Sequence, residues 1–312
     1  MILRYIFKAM VFIAVAIAAY LLFQTLRQYT VAQIYDALLA IPASNLAFSL
    51  AFAAASYLCL SFFDALGVRY IGKPLPLHQT MLASFVSLSI GHNVGVAALS
   101  SAAVRYRYYS RWGLSSADVA LIVVFCGVTV ALGLSTLGSL ALFLRPQDAM
   151  SMTGLGPTAV MAVAAVAALI PLCYVGLSAV LRRSITLRGH SFRLPTLKIA
   201  ALQVLVGTMN FAFVAASLHQ MLSALSDANY LKVAAVSIIA NVAAIVSHIP
   251  GGIGVLEATV SHILPGAEAL AAVIAFRVVY YFIPLALGLL LLGASEVVIA
   301  DEPELDEHPQ KT

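Results

Sequence analysis

Long apolar stretches make up most of the chain, and short groups of polar residues, glycine and proline separate them. Eight stretches approach or exceed the roughly 20 apolar residues that a membrane-crossing helix needs. They span residues 5–25, 44–63, 80–103, 117–144, 158–181, 196–218, 231–264 and 267–300. The pattern predicts one all-α transmembrane domain over residues 1–300. The acidic remainder, residues 301–312, is predicted to be a disordered cytoplasmic tail.

Two of the eight stretches contain residues that interrupt a helix. Residues 91–96 include two glycines, a histidine and an asparagine, and residues 250–255 include a proline and three glycines. Such residues end helices, and the backbone groups that they free need protein or water as partners because lipid supplies none. Both sites end in an aliphatic residue followed by Gly-Val. Paired interruptions in segments of opposite orientation are typical of inverted-repeat transporters.

The distribution of basic residues favours two re-entrant segments. If 80–103 and 231–264 return to the side that they enter from, twelve basic residues face the side of the N-terminus and three face the other. The twelve are Arg4, Lys8, Arg69, Lys73, Arg105, Arg107, Arg111, Arg182, Arg183, Arg188, Arg193 and Lys198, and the three are Arg27, Arg145 and Lys232. Basic loops mark the cytoplasmic side, so we predict a cytoplasmic N-terminus. The expected fold has about six spanning helices and two re-entrant broken-helix segments, arranged as an inverted repeat.

Composition agrees with a membrane protein and excludes a soluble one. Apolar residues make up 62% of the chain and charged residues 10%, whereas about a quarter of the residues in soluble domains are charged. The net charge of +4 is explained by cytoplasmic loops near anionic lipid, so we expect no nucleic acid as partner. The motifs of hydrolases, metalloproteases and nucleotide-binding loops are absent from the sequence, and we expect no metal, no cofactor and no enzymatic activity.

A group of arginines and aromatic residues follows the first interruption. Its candidate substrate-binding residues are Arg105, Tyr106, Arg107, Tyr109 and Arg111. The planar guanidinium group of arginine binds phosphate with two hydrogen bonds, so one interpretation is a gate for lipid headgroups. The alternative is simple anchoring at the membrane surface by basic and aromatic side chains. Arg105 is the first choice because it lies closest to the apolar segment.

Charged and polar residues inside the apolar stretches are the other site candidates. A charge at the centre of a membrane helix costs about 2.5–3.5 kcal/mol on insertion scales, so such residues pair or line a pathway. The candidates are His92, Asn93, Gly251, Gly252, Gly254, Glu257 and Arg277. An ion pair between Glu257 and Arg277 that only joins two helices is the structural alternative. For His92 the alternatives are proton relay and ordinary hydrogen bonding between helices.

Residues Val104–Ser115 and Ile249–Glu257 together resemble the transmembrane flippase domain of the lysylphosphatidylglycerol synthase/flippase family, the bacterial multiple-peptide-resistance factors. The resemblance implies a multi-pass protein of the bacterial inner membrane that moves phospholipids between leaflets. It also implies that Arg105, Arg107 and Glu257, with the glycines of the second interruption, lie at the core of that domain. Family members continue into an aminoacyl-transferase domain, whereas this sequence ends in the acidic tail, so we expect a stand-alone form.

The leading hypothesis is therefore a flippase for phospholipids, among them aminoacyl-phosphatidylglycerol, with membrane lipids as its partners. Two alternatives stay open, a scaffold subunit that assists a separate lipid-modifying enzyme and an intramembrane enzyme that acts on lipid. The sequence also leaves open a homo-oligomer, the lipid's identity and the direction of its movement.

Overall fold

The computed structural model describes residues 31–93, 97–181, 184–187, 190–247, 252, 254–261 and 267–300. The helices are α1 Val31–Leu39, α2 Ala43–Tyr70, α3 Leu77–Gly91, α4 Ala97–Arg111, α5 Ser116–Leu144, α6 Pro146–Thr153, α7 Pro157–Val180, α8 Leu197–Ser223, α9 Tyr230–Ser247, α10 Val255–Ser261, α11 Ala267–Arg277 and α12 Ile283–Ala300. A π-helical turn, Val278–Phe282, joins α11 to α12. Strands β1 Ser184–Leu187 and β2 His190–Arg193 form an antiparallel hairpin between α7 and α8.

The predicted all-α membrane fold is confirmed. Five spans in the described part of the chain are long and apolar enough to cross a membrane, namely α2, α5, α7, α8 and the continuous α11–α12 segment. They correspond to five of the six predicted crossing segments, and the sixth, residues 5–25, lies outside the described residues, as does the predicted tail. Helix α7 shows that the surrounding solvent is lipid, because apolar side chains such as Val166 and Leu172 are exposed on it.

Both predicted interruptions separate pairs of shorter helices. Helix α3 ends at Gly91 and α4 begins at Ala97, while α9 ends at Ser247 and α10 begins at Val255. Within each pair the two helices contact each other, so the chain turns back on itself instead of crossing. Residues 94–96, 248–251 and 253 lie outside the described residues. The flanking helices confirm the predicted breaks and the re-entrant course of both segments.

Helices α2 and α8 form the central contact of the structure and run antiparallel. Asn45 Nδ2 donates to the Gln220 carbonyl oxygen at 2.9 Å, and Ser56 Oγ donates to Asn210 Oδ1 at 2.7 Å. Between these pairs, Ser49 contacts Ser217. Ser56 and Asn210 are each the fourteenth residue of their helix, counted from Ala43 and from Leu197. Because each helix spans about 40 Å at 1.5 Å per residue, this hydrogen bond lies near the middle of the membrane.

The packing repeats itself when the two halves of the chain are exchanged. Helix α2 contacts α3 and α5, and correspondingly α8 contacts α9 and α11. Across the halves, α5 contacts α9 and α12 contacts α3. Since α2 and α8 occupy equivalent places but point in opposite directions, the halves are related as an inverted repeat. The helix packing thus has the same two-fold repetition as the order of elements and the short sequence similarity between the two breaks.

Two glycines bring α5 and α8 into backbone contact. A Cβ atom on Gly133 would overlap the carbonyl group of Gly207, and one on Gly207 would lie 2.6 Å from the carbonyl oxygen of Thr129. Nearby, Gln203 Nε2 donates to Thr129 Oγ1 at 2.8 Å and its Oε1 accepts from Tyr174. Small residues with a few interhelical hydrogen bonds are the usual means of joining helices in lipid.

Gly133→Ala is expected to lower stability by about 1–3 kcal/mol, because α5 and α8 must move apart to accommodate the methyl group. Gly127→Ala on the same helix is the matched control, since a Cβ there meets no atom within 4 Å. Thermal unfolding of the purified proteins in detergent measures the difference. Equal melting temperatures for the two variants would contradict the close packing of α5 and α8.

The predicted orientation is tested by labelling single cysteines from one side of the membrane. In a Cys173→Ala background, which removes the exposed native thiol, Lys73→Cys is expected to react only from the cytoplasmic side and Gln147→Cys only from the opposite side. A membrane-impermeant maleimide applied to intact spheroplasts distinguishes the two. Labelling of Lys73→Cys from outside would reverse the assignment.

Candidate functional site

Aromatic side chains from three parts of the chain meet at the middle of the membrane. This aromatic cluster consists of Tyr57, His92, Phe276, Tyr280 and Tyr281, whose neighbouring ring centroids lie 5.3–6.5 Å apart. Tyr280 fixes its depth, because its hydroxyl group contacts Ser56 Oγ at 2.8 Å. Tyr280 and Tyr281 belong to the π-helical turn, and such turns occur frequently at functional sites.

The first break reaches this cluster through its two polar residues. His92 and Asn93 directly follow the end of α3 at Gly91. Asn93 Nδ2 donates to the Ser89 carbonyl oxygen at 2.9 Å and reaches that of Tyr281 at 3.5 Å. The amide therefore satisfies a carbonyl group near the helix end and touches the other half of the repeat. His92 lies between Tyr57 and the two tyrosines of the π-helical turn.

The second break is held by the predicted pair of charges. Arg277 Nε donates to Glu257 Oε1 at 2.7 Å, and its Nη2 donates to Glu257 Oε2 at 2.9 Å and to the Gly252 carbonyl oxygen at 3.2 Å. Glu257 also accepts from the backbone amide of Gly254 at 2.9 Å. Gly252 and Gly254 have φ values of 58° and 83°, which L-residues rarely adopt. The pair therefore binds the unwound backbone as well as itself, and Gly251 lies outside the described residues.

A cleft opens beside the second break, between α8, α9, α10 and α11. The volume that water can enter inside it is about 30 Å³, so the cleft is narrow in this conformation. Ser237, Asn241 and Gly252 contribute polar atoms to its walls, and Phe276 and Tyr281 connect it to the aromatic cluster. Arg277 lies next to this wall, with its guanidinium carbon 5.7 Å from the centre of the Tyr281 ring.

Arg105, the first choice from the sequence, forms a second ion pair on the cytoplasmic side of the predicted topology. Its Nε and Nη2 donate to the two carboxylate oxygens of Asp64 at 2.8 and 2.9 Å. Tyr109 donates a further hydrogen bond to Asp64 at 2.8 Å. Asp64 directly follows the predicted apolar segment 44–63, and it is fully buried because α2 continues to Tyr70. This carboxylate was missed by the sequence analysis, although a lone acidic residue beside an apolar segment was the available signal.

The other residues of the arginine-tyrosine motif point in different directions. Tyr108 lies 2.7 Å from Ser295 Oγ and so joins α4 to α12, while Arg107 is buried. Tyr106 and Arg111 are exposed. Helical periodicity explains the division, because residues four apart share a face and neighbouring residues do not. The predicted cluster is therefore not one surface, and only Arg105 and Tyr109 converge on the same carboxylate.

The structure brings the predicted residues together in two groups. Glu257, Arg277, Gly252 and Gly254 form one group, whose arginine lies beside Tyr281, and His92 and Asn93 form the other, which contacts Tyr281 from the first break. Exposure separates the two ion pairs, because the side chain of Glu257 is 21% exposed whereas that of Asp64 is 0% exposed. Both arginines are buried, with the side chains of Arg277 and Arg105 2% and 3% exposed, so a ligand that approaches the first pair meets Glu257 and reaches Arg277 only by displacing it.

Asp64→Asn is expected to destabilise the protein by about 3–5 kcal/mol, because it leaves the buried charge of Arg105 without a partner. Adding Arg105→Gln to this variant should restore part of the loss. The exposed pair of Lys73 with Asp118 provides the control, and Lys73→Gln should cost less than about 1 kcal/mol. Unfolding in mixed detergent micelles gives the free energies. A single variant as stable as the wild type would contradict this role of the pair.

Comparison with known proteins supports this architecture. The family described as the lysylphosphatidylglycerol synthase TM region matches residues 11–288. An uncharacterized protein, slr0712 of Synechocystis sp., is 30% identical over 249 residues, which cover 78% of this chain and 77% of that protein. The inner membrane protein YbhN of Escherichia coli is 31% identical over 251 residues, covering 75% of each. The chain therefore belongs to the family of the lysylphosphatidylglycerol synthase transmembrane region.

Proposed function

We propose that this protein moves phospholipid between the leaflets of a bacterial inner membrane. The observation that carries the proposal is the ion pair of the buried Arg277 with the partly exposed Glu257, located where a broken helix meets the aromatic cluster at mid-membrane. Buried charges and unwound backbone at this depth mark substrate pathways in transporters. Family membership supports a lipid as the substrate, and similarity to the inner membrane protein YbhN supports the inner membrane as its location.

Arg277 is the proposed ligand of the lipid phosphate. A guanidinium group binds phosphate and carboxylate with the same fork of hydrogen-bond donors, so a phosphate can take the place of Glu257 without leaving the arginine unpaired. Asn241 and Ser237 on the wall of the cleft can bind the polar part of a headgroup. Both arginines are buried, and Arg277 is favoured over Arg105 in this role because its partner Glu257 is partly exposed whereas Asp64 is fully buried. The acyl chains remain in the bilayer while the headgroup passes through the cleft.

The mechanism needs the cleft to face each leaflet in turn. The inverted repeat provides two halves of equivalent packing and opposite direction, which is the arrangement that alternating access uses. The seam between α2 and α8 joins the halves, and each re-entrant pair contacts helices of its own half and of the other. We propose that the second re-entrant pair moves relative to this seam, because the buried pair of Arg105 and Asp64 fixes α4 to α2. Glycolipids, phosphatidylglycerol and its aminoacyl derivatives are all present in the membrane around the cleft. Only those that carry a phosphate have the group that Arg277 is proposed to bind.

Translocation is tested with two charge-neutral double variants. Glu257→Gln/Arg277→Gln removes the accessible ion pair, and Asp64→Asn/Arg105→Gln removes the inaccessible one, so neither variant leaves an unpaired buried charge. Proteoliposomes containing phosphatidylglycerol with a fluorescent headgroup are treated with a membrane-impermeant quencher, which reports the lipid in the outer leaflet. The first variant should reduce the rate at least about tenfold, equivalent to about 1.4 kcal/mol. The second should retain the rate of the wild type.

Other outcomes distinguish the alternative functions. Absence of translocation by the wild type, together with a stable partner enzyme on purification from the native membrane, would favour a scaffold subunit. A chemically changed lipid, detected by mass spectrometry of the proteoliposome lipids, would favour an intramembrane enzyme. Equal loss in both double variants would show that Arg277 has no special part in the movement of lipid.

A further inference from the structure

His92 has a ring nitrogen that is buried without a partner. Among the residues that the structure describes, Nδ1 of His92 makes no hydrogen bond, although the residue as a whole is only partly buried. Leaving a buried polar atom unsatisfied costs about 1–3 kcal/mol, and such atoms in native proteins call for a specific explanation. The ring of His92 also lies near the middle of the membrane, 6.0 Å from the ring of Tyr57.

The groups packed around His92 leave its imidazole ring as the group in this region that can gain and release a proton. From α2 it faces Tyr57, whose hydroxyl donates to the Tyr280 carbonyl oxygen, and from the π-helical turn it faces Tyr280 and Tyr281. Arg105 on α4 is the nearest cation of its own half, and its charge is balanced by Asp64. Residues 283–294 of α12, which packs on α3, are all apolar, glycine or proline.

Charge balance then connects a proton on His92 to an anion in the cleft. Beyond the aromatic cluster, Arg277 is balanced by Glu257, so both buried ion pairs are neutral overall. A proton on His92 would therefore be an uncompensated positive charge, which a low-dielectric interior disfavours. A lipid phosphate entering beside Arg277 would be an uncompensated negative charge, disfavoured for the same reason. Each charge stabilises the other, and this coupling must act in both directions.

We propose that His92 takes up one proton when a phosphate-bearing headgroup occupies the mid-membrane site, so that a proton travels with each lipid. This inference rests on the proposed function and names its coupling ion. The proton comes from the aqueous phase and binds Nδ1 of the neutral ring, which keeps its hydrogen on Nε2. No covalent bond other than N–H forms or breaks, and the proton leaves when the lipid does.

Calorimetry measures the linked proton directly. Binding of dioctanoyl phosphatidylglycerol to the detergent-solubilised protein is measured near neutral pH in two buffers of different ionisation enthalpy. The wild type should take up close to one proton per lipid, and His92→Gln should take up almost none. His78→Gln, an exposed histidine in the first turn of α3, is the matched control and should behave like the wild type. Binding by the wild type without proton uptake would overturn the inference.

The pH dependence of affinity gives a second measurement that needs no variant. Because the bound state holds the extra proton, affinity should fall as pH rises, by up to about tenfold per pH unit where uptake is complete. In the proteoliposome assay, an imposed pH gradient should accelerate movement of lipid away from the acidic side. Translocation that ignores the gradient overturns the inference and leaves the proposed function intact. No translocation under any gradient contradicts the proposed function itself.

Discussion

A bilayer offers no hydrogen-bond partners to a broken helix, so the two interruptions exist only because protein groups satisfy what they expose. At the second break, Arg277 binds the carbonyl group of Gly252 and Glu257 binds the amide of Gly254. At the first, the amide of Asn93 binds a carbonyl group near the end of α3. The candidate substrate ligands are therefore also the groups that hold the unwound backbone. A ligand that competes for Arg277 necessarily loosens the second break, which links binding to a change of conformation.

The antiparallel contact of α2 and α8 places both breaks at the same depth in the membrane. Its hydrogen bond between Ser56 and Asn210 extends to Tyr280, and Tyr280 belongs to the cluster that touches both breaks. Polar contacts from one end of this seam to its middle and the glycine contact between α5 and α8 stabilise helices that lipid does not drive together. The seam thus serves as the fixed part of the structure. Movement is left to the second re-entrant pair, because Arg105 and Tyr109 of α4 bind Asp64 of α2 and so fix the first pair to the seam.

Hydropathy and charge predicted most of the fold, because both follow directly from the cost of placing polar groups in lipid. The same cost identified Glu257 and Arg277 as a pair or pathway before their contact was visible. Asp64 was not identified as a buried charge because the predicted segment ended at residue 63. Its partner Arg105 is also 41 residues away, in a different helix. The π-helical turn has no distinct sequence pattern and depends on packing against α2. Helical periodicity would have divided the arginine-tyrosine motif, since Arg105 and Tyr109 share a face that Tyr106 does not.

The two ion pairs show how the same chemistry serves different purposes in one membrane domain. Around Asp64, full burial and a third hydrogen bond from Tyr109 make exchange of the carboxylate too costly, so the pair can only join helices. Around Glu257, partial exposure and a neighbouring cleft let a competing anion approach the carboxylate, and the buried arginine becomes available when Glu257 is displaced. A phosphate alone would leave this site with a net negative charge, whereas a phosphate with a proton keeps it neutral. A carrier whose empty and loaded sites are both neutral avoids placing a net charge at the middle of the bilayer, and this requirement connects His92 to Arg277 although the two side chains belong to opposite halves of the repeat.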